Sequence, residues 1–96
     1  MKKELIVKWT INAEALENVL SLLPSLAENS RNEVNCTLYE IFQSEQYPNE
    51  LILHECYENE EAFNSHKNSE HYKAIVLSKI VPHLEVREIT FVSKLF

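Results

Sequence analysis

Not one of the 96 residues is glycine, and every one of the 15 acidic residues is glutamate. At ordinary usage a chain of this length holds roughly six or seven glycines. Without them no glycine-rich turn can cradle a phosphate, which excludes Walker-A and dinucleotide fingerprints. An EF-hand loop is excluded too, because its ligands are mostly aspartate and its sharp turn needs glycine. A Ser-His-Asp triad is out, although a glutamate can in principle replace the aspartate. Nine asparagines stand at positions 12, 18, 29, 32, 35, 49, 59, 64 and 68, largely where caps and turns are expected. What remains as a chemical kit is histidine, glutamate and aromatics.

The length suits one domain, residues 1–96. A chain this short buries roughly 60–70% of its unfolded surface, and 45% apolar residues supply one core. The net charge of -6 argues against a nucleic-acid partner and against adhesion to an anionic membrane. Leu5-Ile6-Val7 is far too short an apolar run for a signal or a span. Together with two unpaired-looking cysteines, Cys36 and Cys56, this leads us to expect a cytoplasmic protein.

Residues 4–10 are rich in β-branched and aromatic types and read as a strand. Asn12 reads as an N-cap, and Leu16, Val19, Leu20, Leu23, Leu26 and Ala27 recur at helical steps. Pro24 should kink or split that helix. Two strand-like runs, 35–43 and 50–58, flank a hairpin-length loop. Asn59 caps a second helical region carrying Ala62, Phe63 and His66 on one side. Asn68 or Ser69 recaps it into a further piece through Ile80, Pro82 ends it, and 84–95 return to strand. The order βαββαβ gives an α+β, ferredoxin-like fold, an antiparallel sheet with helices on one face.

The middle strands are apolar on both sides. Cys36, Leu38 and Phe42 share one face of the second strand, against Tyr39 and Ile41 on the other. In the third, Ile52 and Cys56 oppose Leu51, Leu53 and Tyr57. A half-solvated sheet alternates apolar with polar, and two helices cover one face only. The open face is therefore expected to pack on a second copy, making a homodimer of the dimeric α/β-barrel type.

Few residues can carry chemistry. His66 and His71, five apart, lie about 140° apart around a continuous helix, a poor metal pair. They are either ordinary hydrogen-bonded histidines or, if the helix breaks at Ser69, partners converging on one pocket. Both cysteines read as buried thiols rather than nucleophiles. His54 and Glu55 are adjacent in a strand, so one must face the covered side, and a buried Glu55 would need a partner. Trp9 and Tyr39 read first as core and second as an aromatic platform. Glu58, Glu60 and Glu61 stand at a helix start, where the helix dipole explains them.

Two blocks, 27–40 and 53–72, resemble the antibiotic biosynthesis monooxygenase family, and the resemblance extends from about residue 4 to 92. The family pattern is an Arg, then Glu-Pro-Gly-Cys with a Tyr three residues on, a strand Glu, and His-x-x-Ser-x-His-aromatic. Arg31, Glu33, Cys36, Tyr39, Glu55, His66, Ser69, His71 and Tyr72 match it in order. Val34-Asn35 replaces Pro-Gly, and asparagine is the residue after glycine that best tolerates a left-handed backbone. The haem-degrading branch has a Trp near the position of His66 and a ligating His where Val76 stands here, and its strand-one Asn has no counterpart in residues 5–9. Haem is therefore not expected.

The resemblance, nearest to a quinol-monooxygenase-like branch, implies a homodimer without metal, flavin or other cofactor. It implies oxidation of a small aromatic molecule, a phenol or hydroquinone, by molecular oxygen. In that reading His66 or His71 is the base, Glu55 orients an imidazole, and Trp9, Tyr39, Phe63 and Tyr72 line the substrate slot. Two alternatives belong beside it: a non-catalytic dimeric binding module, and an isomerase of a phosphorylated signalling sugar. The second would draw on Arg31, Lys67, Lys73 or Arg87 for its phosphate.

Overall fold

Strand β1 (Lys3–Ile11) sets the frame, because Leu5, Val7, Trp9 and Ile11 are all buried and the residues between them are not. In the computed structural model, which describes residues 1–96, β1 lies inside a four-stranded antiparallel sheet. The sheet is completed by β2 (Cys36–Gln43), β3 (Glu50–Tyr57) and β4 (Leu84–Val92), in the order β2-β3-β1-β4. Helices pack on one face, giving the ferredoxin-like α+β arrangement expected from the alternation of strand and helix patterns.

The caps are the predicted asparagines. Asn12 Oδ1 accepts from the Glu14 N–H at 3.0 Å and starts a 3₁₀ turn, Ala13–Ala15, that feeds α1 (Leu16–Arg31). Val19, Leu26 and Ala27 of α1 are buried, with Leu16, Leu20 and Leu23 packed around them. Of the two outcomes expected at Pro24, a kink or a split, the split does not occur, and α1 runs on through it. Pro24 is exposed, so the carbonyl it leaves without a helical donor can turn to water, and the buried Val19 and Leu26 on either side hold the helix against the sheet.

Asn59 Oδ1 accepts from the Ala62 N–H at 2.8 Å and caps α2 (Glu60–Lys67). Ser69 then breaks the helical path: its hydroxyl donates to the His66 carbonyl at 2.6 Å and accepts from the Tyr72 N–H at 3.2 Å. A π-helical segment, Tyr72–Ile80, follows and buries Val76 and Ile80. Proline-containing 3₁₀ turn Val81–His83 ends it. Such wide turns are uncommon and gather near functional sites.

Register decides which side chains face the helices. Leu5 pairs with Glu55 and Phe91, Glu55 with Tyr39, Trp9 with Leu51 and Arg87, and Val7 with Leu53 and Ile89. Because paired residues share a face, Glu55, Tyr39, Arg87 and Ile89 all stand on the helix side. His54 stands on the opposite side, where its Nε2 meets Glu4 Oε2 at 2.7 Å. Cys36 departs from the face expected for it. A register shift between Cys36 and Leu38 pairs Cys36 with Tyr57 and Leu38 with Cys56, moving Cys36 to the helix side. The turn just before it carries the molecule's one positive φ, 67° at Asn35.

Candidate functional site

A cavity of about 50 Å³ lies between the sheet and the second helical region. Leu5 and Val7 of β1, Val76 of the π-helical segment and Ile89 of β4 give it aliphatic walls. Trp9, Tyr39, Phe63 and Tyr72 add aromatic ones, all four of the residues expected to line a substrate slot. Four ionisable side chains also reach it: Glu55, His66, Lys67 and Arg87. The space holds a few waters. A ring can enter only if the side chains at the mouth move, and Tyr72, Lys67 and Arg87 are exposed enough to do so.

His66 is the focus. It is 2% exposed, on α2, with ring centroids of Tyr72, Tyr57 and Tyr39 at 5.1, 5.2 and 5.7 Å. A buried imidazole needs partners for both nitrogens. Nδ1 meets Glu33 Oε2 at 2.8 Å, and Nε2 lies 3.8 Å from Glu55 Oε1. A carboxylate only accepts, so Nδ1 carries the proton in the Glu33 contact, and Nε2 is the nitrogen on the Glu55 side of the cavity.

His71 does not line the cavity. Its Nε2 contacts the same Glu33 Oε2, with Ser69 Oγ at 3.2 Å, so Glu33 joins the two histidines. The helix break at Ser69 makes this convergence possible. Glu33 itself was legible in the sequence only as part of the family pattern; nothing in its spacing from His66 or His71 assigns it a role. Its Oε1 is buried and unpartnered.

Glu55 points inward, 5% exposed, and accepts the Tyr57 hydroxyl at 2.7 Å. Burial pushes its carboxyl above the ordinary range, with Glu33 adding to the effect while the Tyr57 hydrogen bond and His66 oppose it. Burial, followed by the charge of Glu55, also pushes the Tyr39 and Tyr57 phenols up, so both stay protonated. The Cys36 thiol is pushed up to about 11, by burial first and Glu33 second, which leaves it unreactive at neutral pH. Cys56 is buried and likewise free of any disulfide.

Trp9 contributes more than a wall. Its indole Nε1 is buried without a hydrogen-bond partner, a donor free to meet an oxygen atom. Arg31, by contrast, is committed to structure, its Nε donating to the Tyr39 carbonyl at 2.9 Å. Lys73 lies outside the cavity lining. The group best suited to a metal is Glu33, His66 and His71, whose ligand atoms lie within 4.8 Å of one another. Two histidines and a carboxylate suit zinc or non-haem iron, although here all three atoms are joined by hydrogen bonds.

Comparison with known proteins agrees with this architecture. A structure described as an antibiotic biosynthesis monooxygenase superposes with a TM-score of 0.90 at 24% identity, covering 99% of each chain. Rv0793 from Mycobacterium tuberculosis superposes at 0.88 and 23% identity, covering 100% of this chain and 97% of that one. A conserved protein from Methanosarcina mazei Go1 reaches 0.87 at 24%, covering 98% and 93%. At such identities the likeness establishes the fold. No curated protein sequence matches the chain. No helix is long and apolar enough to cross a membrane. The profile of the family described as antibiotic biosynthesis monooxygenase matches residues 4–77, and the chain belongs to that family.

Proposed function

We propose that the protein is a monooxygenase that oxidises a phenolic or hydroquinone substrate with molecular oxygen and needs no cofactor of its own. The observation that carries this reading is the buried His66, held through Nδ1 by Glu33 with Nε2 directed to an aromatic-lined cavity. A base set in this way takes the phenolic proton on Nε2. The phenolate is electron-rich and passes one electron to oxygen. Recombination of the ring radical with superoxide forms a C–O bond at the ring carbon opposite the hydroxyl. The proton held on His66 completes the hydroperoxide. Loss of water breaks the O–O bond and removes the ring hydrogen, leaving a quinone. One phenol and one oxygen molecule thus give one quinone and one water; a hydroquinone gives quinone and hydrogen peroxide.

The surroundings suit this chemistry. Tyr39, Tyr57 and the carboxyl of Glu55 are shielded from water, which strengthens every electrostatic contact with the developing charge. The Trp9 indole N–H is a ready donor to a substrate oxygen. Glu33 and His71 extend from His66 towards solvent, since His71 is 17% exposed, and steady the positive charge on His66 until its proton is returned.

The open sheet face supports a homodimer. Leu38, Phe42, Ile52 and Val86 lie there, with Phe42 52% exposed. A second copy seated on this face would cover them.

Oxygen uptake with a panel of naphthols, benzohydroquinones and naphthohydroquinones tests the reaction. Quinone formation that falls away in a His66→Ala variant is the expected result. An unchanged rate in a double His66→Ala, His71→Ala variant would overturn it. Stoichiometric binding of an aromatic without oxygen consumption would identify a binding module instead.

A further inference from the structure

Charge is scarce in one sign and unevenly used. Against 15 glutamates the chain has nine lysines and arginines, and Lys8 alone among the nine is paired with a carboxylate, Glu50 at 3.3 Å. Two of the others, Lys67 and Arg87, lie on one cavity. Lys67 comes from the last turn of α2 and rests its ammonium 4.6 Å from the Phe63 ring centroid. Arg87 comes from β4, across the cavity, and donates from Nη2 to the Tyr72 hydroxyl at 2.9 Å. Each is therefore held by an aromatic wall of the cavity, not by an acid. In a chain of net charge -6, two cations without an ion-pair partner at one largely apolar cavity, whose one lining carboxyl, Glu55, is buried and bonded to Tyr57, leave a place for a negative group.

From this we infer that the ligand is an anionic aromatic, a ring system bearing a carboxylate or phosphate that sits between Lys67 and Arg87 while the ring enters the cavity. This rests on the cavity being the binding site, as in the reading above, and does not require oxidation to occur. Eight of the twelve lining residues are hydrophobic, which suits a flat hydrocarbon ring and leaves the hydroxyls of a sugar without partners. The Trp9 indole N–H, buried and unpartnered, is the donor for a ring oxygen. The forked guanidinium of Arg87 suits a two-oxygen anion.

Anaerobic titration calorimetry with the intact protein separates the possibilities, using 1-hydroxy-2-naphthoate, 1-naphthol and ribose 5-phosphate as probes. The hydroxynaphthoate is expected to bind about tenfold more tightly than naphthol, as charge-assisted contacts at a partly exposed mouth allow. A double Lys67→Gln, Arg87→Gln variant should lose that preference, so that its affinities for hydroxynaphthoate and naphthol fall within about twofold of each other, while Lys67→Arg retains it. Equal affinities, a preference that survives the double variant, or no binding of hydroxynaphthoate would each overturn the inference. Tighter binding of ribose 5-phosphate would overturn it in favour of a phosphorylated sugar. Charge-dependent binding with no oxygen uptake on readmitting air would leave it standing and remove the monooxygenase reading alone.

Discussion

His66 and Glu33 lie 33 residues apart in sequence, and the Nδ1–H of the one donates to Oε2 of the other at 2.8 Å. This bond fixes which imidazole nitrogen is free to act as a base. Replacing Glu33 by Gln keeps the size but offers a weaker acceptor and a competing donor, so the free nitrogen is no longer specified. A general base contributes about 10²–10⁴ in rate. Glu33→Gln is therefore expected to lower kcat about tenfold or more with KM little changed, approaching His66→Ala. Steady-state oxygen uptake with a turned-over phenol measures it, and a kcat within twofold of the parent would refute the orienting role.

Glu55 makes stability depend on pH. Burial raises its folded-state pKa above the ordinary 4.5 that applies when the chain is unfolded. The folded protein therefore holds the proton more tightly, and stability contributed by protonated Glu55 is complete below about 4.5 and lost as pH rises through the folded value. Glu55→Gln keeps an oxygen for the Tyr57 hydroxyl at 2.7 Å and cannot ionise. Its advantage over the parent should be absent in acid and grow towards neutral pH, by about 1.4 kcal/mol for each pKa unit of the shift. Urea unfolding of both proteins at a series of pH values decides it; a gap that does not vary with pH would show that Glu55 ionises freely.

Chelation tests how Glu33, His66 and His71 are used. In the proposed reaction these side chains hold and pass protons. Activity of protein stripped with a chelator should then match that of untreated protein. Loss of oxygen uptake, restored by adding Zn²⁺ or Fe²⁺, would instead put an ion among the three ligand atoms that lie within 4.8 Å.

Local chemistry made much of the fold legible. Asn12 and Asn59 cap as their side chains dictate, and the strands fall on the four runs read as strands. Asn35 was legible too, through the resemblance, because it stands where the family pattern has glycine and asparagine is the next best residue for a left-handed turn. Asn35→Gly should stabilise the protein and Asn35→Val destabilise it, each by about 1 kcal/mol, since a side chain at positive φ costs about that much. Thermal melts of the two variants shifting the same way would contradict the turn. What stayed hidden depended on distant contacts. The register shift after Cys36 appears only once β2 meets β3, and it reverses the face of Cys36. The break at Ser69 was one of the two readings the sequence left open, but the union of His66 and His71 on Glu33 needs a loop far away in the chain, which a five-residue spacing does not show.

Leu38, Phe42, Ile52 and Val86 give the helix-free sheet face its apolar residues. Phe42 stands near the end of an edge strand, 52% exposed, on the face that carries no helix. Stable interfaces bury at least about 1,000 Å² with an apolar centre, and this face has the apolar residues for one. Its His54–Glu4 pair, at 2.7 Å, gives the centre a polar element that is already satisfied within one chain. A homodimer is therefore expected in sedimentation at micromolar concentration. Phe42→Glu should shift it to monomer, because a glutamate in the contact must be desolvated opposite a second copy of itself. The folded spectrum should survive, since Phe42 is no part of the buried core. A parent protein that sediments as a monomer would remove the dimer, and a Phe42→Glu variant that stays dimeric would move the interface to another surface.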